Sequence, residues 1–233
     1  LPHLNAMPDN PPKTHAGFVA IIGAPNAGKS TLLNTLVGEK VSITSPKPQT
    51  TRMKITGVLT EGNTQIAFID TPGIFAPKSR LDRSMVQAAW DAITGADAVV
   101  LLVDGLKEIS ETLTNIITEL QQRQRRVILA INKIDKAKKN DLLPLAQKLF
   151  DTAIADTTFM ISASTRDGVD DLKTYLINTM PENPWYFPED QLSDLPSQIV
   201  AAEMTREQLF RQLQQELPYA ATVVPESWET KTD

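Results

Sequence analysis

Eight residues constrain this chain more than any others: Gly23-Ala24-Pro25-Asn26-Ala27-Gly28-Lys29-Ser30. They fit the pattern G-x-x-x-x-G-K-[ST], in which glycines let backbone N–H groups wrap an anion. An apolar run, Phe18 to Ile22, precedes them and reads as a buried parallel strand; a helix-like segment, Ser30 to Val37, follows. The glycines therefore fall on a strand-to-helix turn, where the helix N-terminus adds positive potential. Lys29 can reach the β- and γ-phosphates of a nucleotide, and the Ser30 hydroxyl can ligate Mg²⁺. The competing reading is an ordinary glycine turn.

The remaining motifs choose among nucleotides. Asn132-Lys133-Ile134-Asp135 follows the apolar strand Val127 to Ile131. A carboxylate at Asp135 can accept two hydrogen bonds from guanine, from the ring N–H and the exocyclic amine. Adenine offers no such pair of donors, and a site that strands a polar group discriminates strongly. Asn132 and Lys133 would brace the loop and cover the base. Between these motifs, Ile66 to Ile69 reads as a strand ending in Asp70-Thr71-Pro72-Gly73. Asp70 can hold Mg²⁺ through a water, and the Gly73 N–H can contact a γ-phosphate. Alone, each segment also reads as a helix cap or a plain turn.

Taken in order, GAPNAGKS, DTPG, NKID and Ser162-Ala163-Ser164 resemble a translation-factor-class GTPase. The stretch Ile43 to Arg52 resembles the first switch of the Era family of bacterial ribosome-assembly GTPases. Phe187-Pro188-Glu189-Asp190, Thr205-Arg206-Glu207 and Glu216-Leu217-Pro218-Tyr219 resemble the start of that family's KH-type RNA-binding domain. The resemblance runs from about Gly17 to Trp228. It implies a Mg²⁺-dependent GTPase, cycling between GTP and GDP and acting in maturation of the small ribosomal subunit through the 3′ end of 16S rRNA. It also implies a monomer in the cytoplasm, with peripheral inner-membrane association as an open option. The expected nucleotide-binding set is Asn26, Ala27, Gly28, Lys29, Ser30, Thr31, Asp70, Gly73, Asn132, Lys133, Asp135, Ser162, Ala163 and Ser164. Ser30, Thr51 and Asp70 are the expected metal residues, with Thr51 chosen over Thr50 because it precedes Arg52 as in the family.

The catalytic groups are harder to read. In Ras-like enzymes a Gln after the D-x-x-G glycine orients the attacking water. Here that position is Ile74, so intrinsic hydrolysis should be slow, with the Gly73 backbone and Thr51 contributing. Asn26 has two readings: a helper in holding K⁺, as in related GTPases, or a residue that suits the loop's backbone. Lys47, Arg52, Lys54, Lys78, Arg80 and Arg83 lie near the switches and are either an RNA-facing or a solvated set. Lys136, Lys138 and Lys139 read as surface charge.

Between Gly17 and Met180 strands and helices alternate, which implies right-handed βαβ units and a mostly parallel sheet. Residues 55–65 read as a hairpin adding one antiparallel edge strand. The expected organisation is an α/β P-loop GTPase domain at 17–180 after a disordered tail at 1–16. A linker anchored by Trp185-Tyr186-Phe187 spans 181–196, and an incomplete KH-like α+β piece spans 197–233. That last piece reads as an amphipathic helix from Ser197 to Glu216, then a strand at Ala221 to Val224. No G-x-x-G loop follows to clamp RNA backbone. The chain as given should therefore bind GTP but not rRNA tightly, and the helix's apolar face (Ala202, Leu209, Phe210, Leu213) would lack its sheet.

Composition sets outer limits. The 233 residues carry a formal net charge of −5 and no cysteine. The first argues against non-specific coating of nucleic acid; the second excludes disulfides and thiolate metal sites. Two alternative functions remain: a related GTPase serving tRNA modification or a membrane target, and a nucleotide-binding module without RNA function.

Overall fold

A computed structural model describes residues 13–44, 55–77, 79–212 and 223–227. Six strands form one sheet: β1 (His15–Ile22), β2 (Ile55–Glu61), β3 (Thr64–Asp70), β4 (Ala98–Asp104), β5 (Val127–Asn132) and β6 (Ala155–Met160). Their order is β2-β3-β1-β4-β5-β6, parallel throughout except for β2, which pairs antiparallel with β3. The hairpin turns at Gly62-Asn63, with Gly62 at φ 60.

Six helices complete the described fold: α1 (Lys29–Val37), α2 (Arg80–Thr94), α3 (Glu111–Gln122), α4 (Lys139–Phe150), α5 (Val169–Thr179) and α6 (Ser197–Gln212). The alternating side-chain direction of a strand sorts the core into two layers. Ala20 and Ile22 of β1, with Val99, Leu101 and Val103 of β4, meet Trp90, Ile93, Ile116 and Leu145 of α2, α3 and α4. Their neighbours Val19, Ile21, Val100 and Leu102 face Leu32, Leu33, Leu36, Leu172 and Leu176 of α1 and α5. Strands β1, β4 and β5 are covered on both faces, which is why they read as unbroken apolar runs. The edge strand β6 alternates half-buried and exposed residues.

Local chemistry sets the helix starts. Ser79 and Asp82 form a reciprocal capping box on α2, and Ser110 caps α3. Helix α1 begins instead at Gly28, left-handed at φ 104, with no side-chain cap. Its first-turn N–H groups are thus arranged as an anion site.

Three differences from the sequence reading have physical causes. The tail ends earlier than residue 16: Ala16 is fully buried, and His15 and Ala16 pair with Thr64 and Gln65 in β1. Ladder bonds made this strand longer than its apolar run. The segment expected as a linker is strapped to the sheet. Gln65 accepts from the N–H groups of Tyr186 and Phe187 at 2.9 Å each, and its own amide donates to the Phe187 carbonyl at 2.9 Å. The ring of Tyr186 stacks on Phe18 with centroids 4.7 Å apart. Farther on, Val58 N–H donates to the Leu192 carbonyl and Asp194 N–H to Thr56, covering the open edge of β2.

The third difference concerns α6. Its Ala202 is buried and Leu209 half-buried, and the buried side chains beside them are charged: Arg206 and Glu207. Glu207 pairs with Lys40 at 2.6 Å and Arg206 with Glu203. The helix therefore docks on the chain just beyond α1 through the Glu207–Lys40 ion pair, while the Arg206–Glu203 pair lies within the helix. Val223 and Val224 lie outside any strand. Leu213 and the rest of that expected helix to Glu216 fall outside the described residues.

Candidate nucleotide-binding site

The four nucleotide motifs lie at the carboxyl ends of the parallel strands, where open α/β sheets bind ligands. The G-x-x-x-x-G-K-S loop follows β1, Asp70 closes β3, Asn132 closes β5, and Ser162 lies two residues past β6. Tight approach explains the glycines. A Cβ on Gly28 would collide with the Asn132 amide, and one on Gly73 would sit 3.0 Å from Pro25.

Asn132 joins two loops. Its amide donates to the Ala27 carbonyl at 2.8 Å, and its carbonyl accepts from the Ala163 N–H at 2.9 Å. Lys133, left-handed at φ 69, donates to the Asn26 carbonyl at 2.7 Å and pairs with Asp104 at 2.8 Å. The buried Ser162 hydroxyl donates to Asp135 Oδ1 at 2.7 Å, aiming a carboxylate that is itself exposed. Ser164 lies 3.2 Å from Ser162, between hydroxyls. Asn26 adopts φ 65, the left-handed conformation that Asn tolerates better than most residues. Thr31 sits half-buried in the first turn of α1, its carbonyl sharing the single Thr35 hydroxyl proton with the carbonyl of Ala163.

On the phosphate side, Lys29 is buried and donates to the carbonyls of Gly23 and Ala24 at 3.2 and 3.1 Å. Burial pushes its ammonium down from 10.5 to about 8, with Asp70 opposing the shift. The Ser30 hydroxyl donates to Asp70 Oδ2 at 2.7 Å, and Asp70 is fully buried. Gly73 lies against the loop, and the next N–H, of Ile74, donates to the Gly23 carbonyl at 3.1 Å. The Ile74 side chain belongs to the core with Trp90 and Ile93, away from any role with water. Thr50, Thr51, Lys47, Arg52, Lys54 and Lys78 lie outside the described residues; Arg80 and Arg83 are exposed on α2.

Sequence reasoning missed Asp104, the partner of Lys133. It ends β4 in register with Asn132, and an acidic residue closing an apolar strand, as Asp70 does, was the available signal. It also missed Thr35, whose hydroxyl donates to the Ala163 carbonyl at 2.7 Å and ties α1 to the Ser162 loop. Nothing in sequence marks that contact, because 128 residues separate the partners.

A P-loop nucleotide fold with a guanine-type N-K-x-D loop defines the class: this is a GTPase. Residues 18–133 match the family described as 50S ribosome-binding GTPase. GTPase Era of Caulobacter vibrioides is 50% identical over 241 residues, covering 97% of this chain and 76% of that protein. GTPase Era of Agrobacterium fabrum is 51% identical over 225 residues, covering 97% and 71%. Among solved structures, Era in complex with MgGDPNP and nucleotides 1506–1542 of 16S ribosomal RNA superposes with a TM-score of 0.83. It is 38% identical, with 88% of this chain and 70% of that one covered. A single-residue variant of Aquifex aeolicus Era bound to GDP and AlF₄⁻ gives 0.82 at 38% identity, with the same coverage. The chain belongs to the Era family of GTPases.

Proposed function

We propose that this protein is a GTP-driven switch in maturation of the small ribosomal subunit, acting through 16S rRNA. The observation that carries the nucleotide half is the Asp135–Ser162–Ala163–Asn132–Ala27 network, which links a guanine-reading carboxylate to the phosphate loop. The rRNA half is supported by kinship with an Era that is solved with a segment of that RNA.

In this reading the first-turn N–H groups of α1 and the loop from Asn26 to Thr31 cradle the β-phosphate. Lys29 swings from its carbonyls to the β- and γ-phosphates. Asp135 accepts from guanine, while Lys133 and the Ser162-Ala163-Ser164 loop flank the base. The donor set also fits Mg²⁺, a hard ion that takes few protein oxygens and keeps waters and phosphates. A hydroxyl and a buried carboxylate converge beside the loop, and no cluster of three acidic, His or Cys side chains occurs among the described residues. Ser30 and Asp70, with Thr51, would hold that ion, which neutralises charge on the transferring phosphoryl group. The Gly73 N–H would report the γ-phosphate. With Ile74 in the core, intrinsic turnover is slow and a partner completes the catalytic arrangement. For Asn26 we keep both roles, loop geometry and K⁺ binding.

Among the described residues no helix is long and apolar enough to cross a membrane. We place the protein in the cytoplasm, as a monomer meeting the small subunit, with any inner-membrane association peripheral. The domain limits we propose are a GTPase unit to Met180 and a KH-type segment from Ser197, joined by the strap.

The test has two arms. Competition titration should show GDP and GTP binding with ADP ignored; equal affinity for GDP and ADP removes the nucleotide reading. Depleting the protein in its host should shift small-subunit particles toward immature forms carrying unprocessed 16S rRNA. Unchanged subunit profiles and no co-sedimentation with small subunits would remove the ribosomal reading.

A further inference from the structure

The Asp70 carboxylate receives a second hydroxyl besides that of Ser30. Ser42, 2% exposed, donates to the same oxygen, Oδ2, at 2.8 Å. Ser42 carries none of the sequence motifs and lies 28 residues from Asp70. Its position is built. The side chain of Asn34, on α1, clamps the main chain around it: the amide donates to the Ser42 carbonyl at 2.8 Å. The Asn34 carbonyl oxygen accepts from the N–H groups of Val41 and Ser42 at 3.0 and 2.9 Å. The neighbours Val41 and Ile43 are buried at 8% and 1% exposure, so the segment has apolar anchors on both sides of the serine.

We propose that Ser42 is a positioning residue for the divalent cation of this site. Its hydroxyl, held by Asn34, fixes the plane and direction of the Asp70 carboxylate. The inference rests on the GTP-switch reading. A carboxylate at the end of a strand can turn about its last bond, and a hydroxyl that reaches the oxygen Ser30 also holds, but from a second element, the segment after α1, narrows that turning. Partners of metal-holding carboxylates act in this way, and their loss typically weakens metal affinity roughly 10- to 100-fold.

The experiment measures binding of a fluorescent GDP analogue to the whole protein against Mg²⁺ concentration and in EDTA, for wild type, Ser42→Ala and Asn34→Ala. For Ser42→Ala the Mg²⁺ concentration giving half-maximal tightening should rise about tenfold. Affinity in EDTA and the melting temperature without ligand should stay close to wild type. Asn34→Ala should shift the Mg²⁺ midpoint in the same direction, because it frees the main chain that aims Ser42. An unchanged midpoint in Ser42→Ala overturns the proposal. So does an equal loss of affinity with and without Mg²⁺, which would mark Ser42 as a packing residue only. A wild type that binds GDP analogue with no Mg²⁺ dependence also overturns it, while leaving the guanine site standing. A wild type that binds no guanine nucleotide overturns the functional reading and this inference with it.

Discussion

The ammonium of Lys29 lies 3.2 Å from the carbonyl oxygen of Gly23, turned back onto the loop that it serves. In this position the charge is buried and held down to about 8. The lysine therefore weakens the nucleotide-free fold. Its cost relative to the ordinary value is on the order of 3 kcal/mol at neutral pH. Lys29→Met should abolish tight nucleotide binding and yet stabilise the nucleotide-free protein by about 1–3 kcal/mol. Urea unfolding without nucleotide checks this, and a destabilised variant would show that the carbonyl contacts outweigh desolvation.

The same group predicts a pH dependence. The folded value is depressed, so between about 8 and 10.5 the unfolded chain binds more protons than the folded one. Stability of the nucleotide-free protein gains from this group as pH rises through that window. Nucleotide affinity moves the other way, because phosphates need the protonated amine. Above pH 8, GDP affinity should fall by up to about tenfold per pH unit, accompanied by proton uptake in calorimetry. A flat affinity from about pH 7 to 9.5 would mean Lys29 stays charged in the free protein.

Asp135→Asn should exchange guanine for xanthine, since an amide presents a donor where the carboxylate presents an acceptor. GDP affinity should drop by on the order of 10⁴-fold, the scale of sites built to hydrogen-bond a particular substrate group. Competition with xanthosine diphosphate measures the switch. Ser162→Ala, which removes the hydroxyl holding Oδ1, should weaken GDP by a smaller factor without changing base preference.

Ser30→Ala acts through the metal. The defect in GTP affinity should be large with Mg²⁺ and should shrink when Mg²⁺ is chelated from wild type and variant alike. A defect of equal size in both conditions would leave Ser30 no metal role.

The docking of α6 rests on a fully buried Glu207 and a partly exposed Lys40. Removing the lysine leaves a buried carboxylate, whereas Glu207→Gln leaves a solvated lysine. Lys40→Ala should therefore cost more, about 1–2 kcal/mol of docking free energy after solvent screening. Hydrogen exchange across residues 197–212 should accelerate more in Lys40→Ala than in Glu207→Gln.

Much of this protein is set by short-range pattern. A glycine-rich turn needs neighbours only a few residues away, and a parallel strand covered on both faces must be a continuous apolar run. The phosphate loop, Asp70, the N-K-I-D loop and the alternation of strands and helices were legible for that reason. Tertiary structure decided what depends on partners distant in sequence. His15 and Ala16 became strand because Thr64 and Gln65 offered ladder bonds. Residues 182–194 became a strap because Gln65 presented an amide able to bind two N–H groups and a carbonyl at once. Glu207 sat on the buried side of α6 because Lys40, far back in the chain, offered an ion pair there, where hydropathy expected apolar residues. Ser42 met Asp70 only because Asn34 folds the chain after α1 back on itself. A hydroxyl carries no periodic signal, and its partner is chosen by geometry that exists only once the sheet and α1 have packed.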